Sequence, residues 1–257
     1  MAETSVVKEQ LIEITTLQHP FPLHLERTAL IVVDMQNAFC HPDGFCGHEL
    51  GADLTAARAI IPRIQKVITW AKTQKILNVY TRESHLPDMS DVTPCKALRY
   101  KNAGYPIGEQ GKMGRFLIRG ESGTELIEEL QPTSDDLQID KPAQSIFVGT
   151  DLADTLQQRN ISHLIFTGVT TECCVLASYR QASDLGFYCL LLADCCAAMS
   201  AIEHQAAIDV LLAENGAIGW VTTSTEIISG CAARKTSDSA EFPSPKHDYD
   251  TLAIPEF

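Results

Sequence analysis

Short apolar runs recur along this chain, and between them apolar residues step by three and four. The runs are A-L-I-V-V at 29–33, I-L-N-V-Y-T at 76–81, the brief L-Q-I at 137–139, H-L-I-F-T-G-V at 163–169, Y-C-L-L-L at 188–192 and I-G-W-V-T at 218–222. Near-continuous apolar strands without strict alternation suit a parallel sheet covered on both faces. The intervening segments 54–73, 123–130, 151–158, 172–185 and 201–213 carry helical spacing. Strand and helix alternate, which predicts a three-layer α/β domain: a doubly wound, mainly parallel, six-stranded sheet between helices.

Two regions break the rhythm. Residues 83–120 are polar and hold Pro87, Pro94 and Pro106 with several glycines. A connection of that length in a compact domain is usually a lid or an interface element. The end of the chain is rich in serine, proline and charge. The expected organisation is an N-terminal arm over 1–26, one domain over 27–230 with the 83–120 loop inside it, and a tail over 231–257.

Composition narrows the function. The 257 residues are 45% hydrophobic and 21% charged, with a formal net charge of -13. That balance argues against a nucleic acid or an anionic membrane as partner. The nine cysteines are odd in number and sparse for a disulfide scaffold. No secretory apolar region is seen near the start, and the apolar stretch near 188–199 is too short to span a bilayer and is broken by Asp194. These features lead to the expectation of a soluble cytoplasmic protein with free thiols. H-E-x-x-H, paired C-x-x-C, G-x-G-x-x-G and P-loop patterns are absent, so neither a metal nor a nucleotide cofactor is expected.

In open α/β sheets, ligands gather beyond the carboxyl ends of the strands. Asp34 follows the first run, Asp140 and Lys141 the third, Thr170 to Cys174 the fourth, and Asp194, Cys195 and Cys196 the fifth. A cysteine in the first turn of a helix lies near free N–H groups and the positive end of the helix dipole, which favours thiolate. The same N–H groups could receive an oxyanion. Most free cysteines are nevertheless small buried hydrophobes, and Cys173 and Cys174 share that reading. Asp34 alone could start a turn, and Lys141 alone could be a solvated charge. At one sheet edge, the carboxylate could deprotonate a thiol and the ammonium could stabilise the thiolate.

The segments A-L-I-V-V-D-M-Q-N-A-F at 29–39, D-K-P-A-Q-S-I-F at 140–147 and T-G-V-T-T-E-C-C-V at 167–175 together resemble the isochorismatase-like cysteine hydrolases, which include nicotinamidases and N-carbamoylsarcosine amidases. The resemblance covers roughly 27–230. It implies an isochorismatase-like hydrolase fold, with Cys174 as nucleophile, Asp34 as general base and Lys141 as third catalytic residue. It also implies a cis bond at Val169–Thr170 and an oxyanion hole from the N–H groups of Thr170 and Cys174. The reaction implied is amide hydrolysis through a thioester on Cys174.

Among substrates, the missing Asp-x-His pair near 51–58 argues against nicotinamide, and Cys174 argues against vinyl-ether hydrolysis. The resemblance is nearest to the ureide branch. Biuret is the first expectation, with ureidoacrylate, N-carbamoylsarcosine or another carbamoyl amide as alternatives. Gln36, Asn37, Phe39, Arg115 and Glu214 are candidate substrate contacts. Arg115 and Arg119 could equally pair with acids at an interface, and Glu214 could belong to a surface turn. The family resemblance further implies a homo-oligomer, commonly a tetramer. A noncatalytic scaffold and a Cys173–Cys174 redox pair are the readings from other classes.

Overall fold

The computed structural model describes residues 11–234. Six strands form one sheet: β1 (Thr28–Val33), β2 (Leu77–Glu83), β3 (Leu137–Lys141), β4 (His163–Val169), β5 (Tyr188–Ala197) and β6 (Trp220–Thr222). Their order across the sheet is β6-β5-β4-β1-β2-β3, and every neighbouring pair is parallel. The chain winds outward one way from β1 through β2 and β3, then returns to β1 and winds outward the other way from β4. The crevice beyond the carboxyl ends of β1 and β4 is the switch point of such a sheet.

The principal helices are α1 (Ile61–Thr73), α2 (Pro94–Asn102), α3 (Leu152–Gln158), α4 (Leu176–Asp184), α5 (Ala201–Gly216) and α6 (Ser224–Arg234). All six residues of β1 and all seven of β4 are buried. Successive side chains of a strand point to opposite faces, so β1 feeds two cores. Leu30 and Val32 pack with Ile64, Val67 and Trp70 of α1 and Ile227 of α6. Ala29, Ile31 and Val33 pack with Leu152 and Leu156 of α3, Tyr179 of α4 and Ile208 of α5.

Upstream, Ile12–Ile14 and Phe21–Leu23 form an antiparallel hairpin. Its Ile14, Phe21 and Leu23 are buried in the first core, so this part of the expected arm packs on the domain. The tail from 235 onward, and residues 1–10, lie outside the described residues.

Several expected elements differ in extent. The expected helix at 123–130 is two 3-10 turns, Ser122–Thr124 and Glu128–Leu130, where the chain bridges back to Gln36. The expected helix at 54–73 is a short Thr55–Ala59 turn followed by α1, with Pro62 in the first turn of α1, where its missing N–H costs nothing. The strand expected at 188–192 continues to Ala197, with a register shift opposite Phe166 to Gly168. Asp194, Cys195 and Cys196 are therefore inside β5 and not beyond its end. Cys195 fills one core and Cys196 the other.

Candidate active site

Asp34 leaves β1 with φ 49, a left-handed conformation in which a short polar residue is tolerated better than most. Its side chain is fully buried, and the Thr81 hydroxyl donates to Oδ1 at 2.7 Å. Oδ2 lies 2.7 Å from Nζ of Lys141, which is also fully buried at the end of β3. The same ammonium donates to the Ala143 carbonyl at 2.9 Å and reaches Sγ of Cys174 at 3.4 Å. Cys174 sits in a single wide turn, Thr171–Val175, that follows β4 and leads into α4. Thus Asp34, Lys141 and Cys174 do meet.

Topology explains how. β3 does not neighbour β1, because β2 lies between them. The long Lys141 side chain must cross that gap. Glu83, paired in register with Lys141 at the end of β2, therefore belongs to the same cluster. Its Oε2 accepts from Cys174 Sγ at 3.2 Å and lies 3.6 Å from Lys141 Nζ. Its Oε1 accepts from the Tyr100 hydroxyl at 2.7 Å and pairs with Lys96, both from α2.

Sequence reasoning missed Glu83, Lys96 and Tyr100. The strand-end rule would have found Glu83 had the second run been extended to its true end. Nothing in the local pattern marks Lys96, which reads as a surface charge of a polar helix.

Burial and charge set the protonation of the cluster. Burial raises the Asp34 pKa, and the attraction of Lys141 only partly offsets it. Burial would raise that of Glu83 too, but Lys141 and Lys96 overcome this and hold it near 2. Lys141 is pushed up despite burial, because Asp34, Cys174 and Glu83 surround it. The Cys174 thiol is pushed up by its contact with Cys173 and by burial, against the pull of Lys141. Asp34, Glu83 and Cys174 offer donor atoms within 4.8 Å of one another. The Lys141 ammonium already contacts all three, so the cation of this cluster is the protein's own.

Above the sulfur opens a cavity of about 300 Å³. Phe39, Tyr100, Tyr105, Phe116 and Met199 form apolar walls, and Arg99, Gln144, Thr170 and Glu172 supply polar groups. The peptide bond Val169–Thr170 is cis, and Thr170 and Cys174 both line the cavity. The carbonyl of Thr170 accepts the N–H groups of Cys173 and Val175.

Of the expected substrate contacts, only Phe39 lines this space. Gln36 is fully buried behind it, clasping the backbone of Glu83 and Thr124. Asn37 donates to the Ser122 carbonyl and faces a different surface cleft. Arg115 bonds Glu121 and the Pro87 carbonyl. Glu214 lies with Asn215 in left-handed backbone near the end of α5. The 83–120 segment forms a packed wall: α2 supplies Arg99 and Tyr100, and Phe116 stacks on Phe45 with ring centroids 4.3 Å apart.

The family model described as Isochorismatase domain matches residues 28–226. The chain belongs to this family. Its α/β fold and the strand-end cluster fall within the matched span. Among curated family relatives, the chain is 31% identical over 223 residues to the ureidoacrylate amidohydrolase RutB of Variovorax paradoxus, covering 83% of this chain and 84% of that one. It is likewise 31% identical to the ureidoacrylate amidohydrolase RutB of Yersinia enterocolitica, covering 83% of this chain and 93% of that protein.

Among solved structures, a cysteine hydrolase from Pseudomonas syringae pv. phaseolicola superposes with a TM-score of 0.70 at 28% identity, covering 88% of this chain and 99% of that one. N-carbamoylsarcosine amidase from Thermoplasma acidophilum gives a TM-score of 0.60 at 25% identity, covering 78% and 98%. No helix among the described residues is long and apolar enough to cross a membrane.

Proposed function

We propose that this protein is a cysteine-dependent amidohydrolase of small ureides, with Cys174 as nucleophile, Asp34 as proton acceptor and Lys141 as the cation between them. The observation that carries this reading is the contact of Lys141 Nζ with both Asp34, at 2.7 Å, and Cys174 Sγ, at 3.4 Å, beside a cavity that Cys174 lines. Asp34, its pKa raised by burial, is suited to take a proton and give it back. The Cys174 thiol rests protonated, so its deprotonation accompanies attack.

The thiolate adds to the carbamoyl carbonyl, and the oxyanion faces the N–H groups of Thr170 and Cys174. The C–N bond breaks as Asp34 returns the proton to the departing nitrogen. Asp34 then takes a proton from water, whose oxygen attacks the thioester and frees Cys174.

The ureide we favour carries a carboxylate. Arg99 lines the cavity and forms no ion pair among the described residues. A guanidinium placed so can clasp a carboxylate in two hydrogen bonds. Ureidoacrylate, for which the curated relatives are named, has a carboxylate opposite its ureido end, beside a short unsaturated segment that suits Phe39 and Phe116. Biuret remains the second reading, since Gln144 and the half-buried Glu172 could serve a neutral diamide.

Ammonia release from ureidoacrylate, biuret, triuret, N-carbamoylsarcosine and nicotinamide discriminates between them, with Cys174→Ser and Arg99→Met in parallel. We expect the highest kcat/KM on ureidoacrylate and loss of turnover in Cys174→Ser. Arg99→Met should raise KM for that substrate by about tenfold or more and leave biuret unchanged. Preference for biuret with an indifferent Arg99→Met would move the substrate and keep the mechanism. Turnover retained in Cys174→Ser would overturn the mechanism.

A further inference from the structure

The cluster holds a second buried carboxylate that the mechanism above does not use. Glu83 is nearly inaccessible, and both of its oxygens are engaged. Oε2 faces Cys174 Sγ at 3.2 Å and Lys141 Nζ at 3.6 Å, while Oε1 faces Tyr100 and Lys96. Lys96 is itself buried, which is rare for a lysine. Its remaining donors reach the Pro142 carbonyl at 2.7 Å and His85 Nε2 at 2.9 Å. That histidine is held neutral by burial and by Lys96, with Asp91 on its other side at 3.3 Å. The clasp of Gln36 on the Glu83 backbone fixes the strand end from behind.

We propose that Glu83 is a further positioning residue of this site: braced by Lys96 and Tyr100, it orients the Cys174 thiol and balances the two buried ammonium groups. The charge count gives the physical reason. At rest the cluster holds the anions Asp34 and Glu83, the cations Lys141 and Lys96, and a neutral thiol. After the proton passes from sulfur to Asp34, it holds the anions Glu83 and Cys174, the same two cations, and a neutral Asp34. Net charge is zero on both sides of the transfer. No uncompensated charge appears in a dry pocket, where it would cost several kcal/mol.

Glu83 is suited to be the fixed anion because two ammonium groups face it, and Asp34 to be the exchanging one because, among the described residues, it has only the ammonium of Lys141. The pairing separates two carboxylates into different roles by their surroundings. It also ties the chemistry to α2, since the helix that lends Arg99 to the cavity lends Lys96 and Tyr100 to the brace.

The proposal rests on Cys174 being the reactive thiol, and its test needs no substrate. The pH dependence of Cys174 alkylation by iodoacetamide is followed by peptide mass spectrometry in a Cys173→Ala background. Cys173, Asp34, Glu83 and Lys141 face the thiol directly; Lys96 and Tyr100 act through Glu83, and Arg99, Tyr105 and Glu172 line the cavity above it.

Glu83→Gln leaves one cation in excess and should move the profile to lower pH by about one unit or more. Lys96→Met leaves one anion in excess and should move it to higher pH. The Glu83→Gln/Lys96→Met double variant restores neutrality and should return it toward that of the parent. Should the charged variants fail to fold, Tyr100→Phe removes one hydroxyl from the brace and should move the profile upward. Shifts in the same direction for the two single variants, or an unmoved profile in folded Tyr100→Phe, would overturn the proposal. A wrong substrate assignment alters none of these profiles, whereas turnover by Cys174→Ser defeats the hydrolase reading separately.

Discussion

Cys173 and Cys174 are adjacent, yet only Cys174 is buried against Lys141 and Glu83, while Cys173 stays partly exposed at the cavity wall. Under the proposed mechanism, serine at 174 keeps the shape and loses the thiol, so kcat should fall by roughly 10³-fold or more. Alanine at 173 should retain turnover, and because the contact with Cys173 raises the Cys174 pKa, it should move the alkylation profile to lower pH.

Glu83 makes a prediction of a different kind. Its pKa falls from 4.5 to about 2 on folding. A lowered carboxylate pKa adds stability that is present above the unfolded value and is lost as pH falls through the folded one. Thermal stability should therefore drop between about pH 4.5 and 2 in the parent, and Glu83→Gln should flatten that segment. A calorimetric pH series checks it. At this scale Asp34, Lys141 and Cys174 were candidates because each stands at or just beyond a strand end, and the family resemblance singled them out from other strand-end residues. Glu83 hid behind a strand drawn too short, and Lys96 behind a polar helix.

At the scale of elements, two joints decide the site. Gly168 adopts φ 108, and a Cβ there would lie 2.1 Å from the Val33 carbonyl oxygen of the neighbouring strand. Gly168→Ala must push β4 away from β1 just before Asp34 and the Cys174 turn. We expect a loss of about 2–4 kcal/mol in urea denaturation, with reduced kcat in the protein that remains folded.

The other joint is the start of α2, where Thr93 accepts the Lys96 N–H and Pro94 occupies the first turn. Loss of such a cap costs about 1 kcal/mol. Thr93→Ala should therefore speed amide exchange over 94–102 and raise KM through Arg99 and Tyr100, leaving exchange in β1 and β4 unchanged. The rhythm of strands and helices was readable from apolar spacing. The turns at 122–130 were not, because Leu126, Ile127 and Leu130 have helical spacing but are buried from an irregular backbone.

For the molecule as a whole, a chain of net charge -13 carries a cavity lined in part by Arg99. The general field repels an anionic substrate at long range and is screened by salt, while the guanidinium acts at contact. Raising ionic strength from about 10 mM to about 150 mM should therefore raise kcat/KM for a carboxylate-bearing ureide and leave a neutral one flat. Stopped-time assays at two salt concentrations check it. A fall would mean that attraction within the cavity outweighs the repulsion of the surface.

The sequence by itself determined the layers, the strands and three of the site's charged or nucleophilic groups, because burial on both sheet faces and the positions of strand ends are written in local spacing. Only the tertiary structure decided which strand lies between which. Placing β2 between β1 and β3 sets the strand end that carries Glu83 between those that carry Asp34 and Lys141, and folding 83–120 back over the sheet brings Lys96 and Tyr100 to Glu83 and Arg99 to the cavity. It also buried Gln36 against the protein's own backbone and paired the partly exposed Arg115 with Glu121. Spacing along a chain reports what a residue's own element can bury; which charges face one another depends on the order of strands, and no local pattern encodes that.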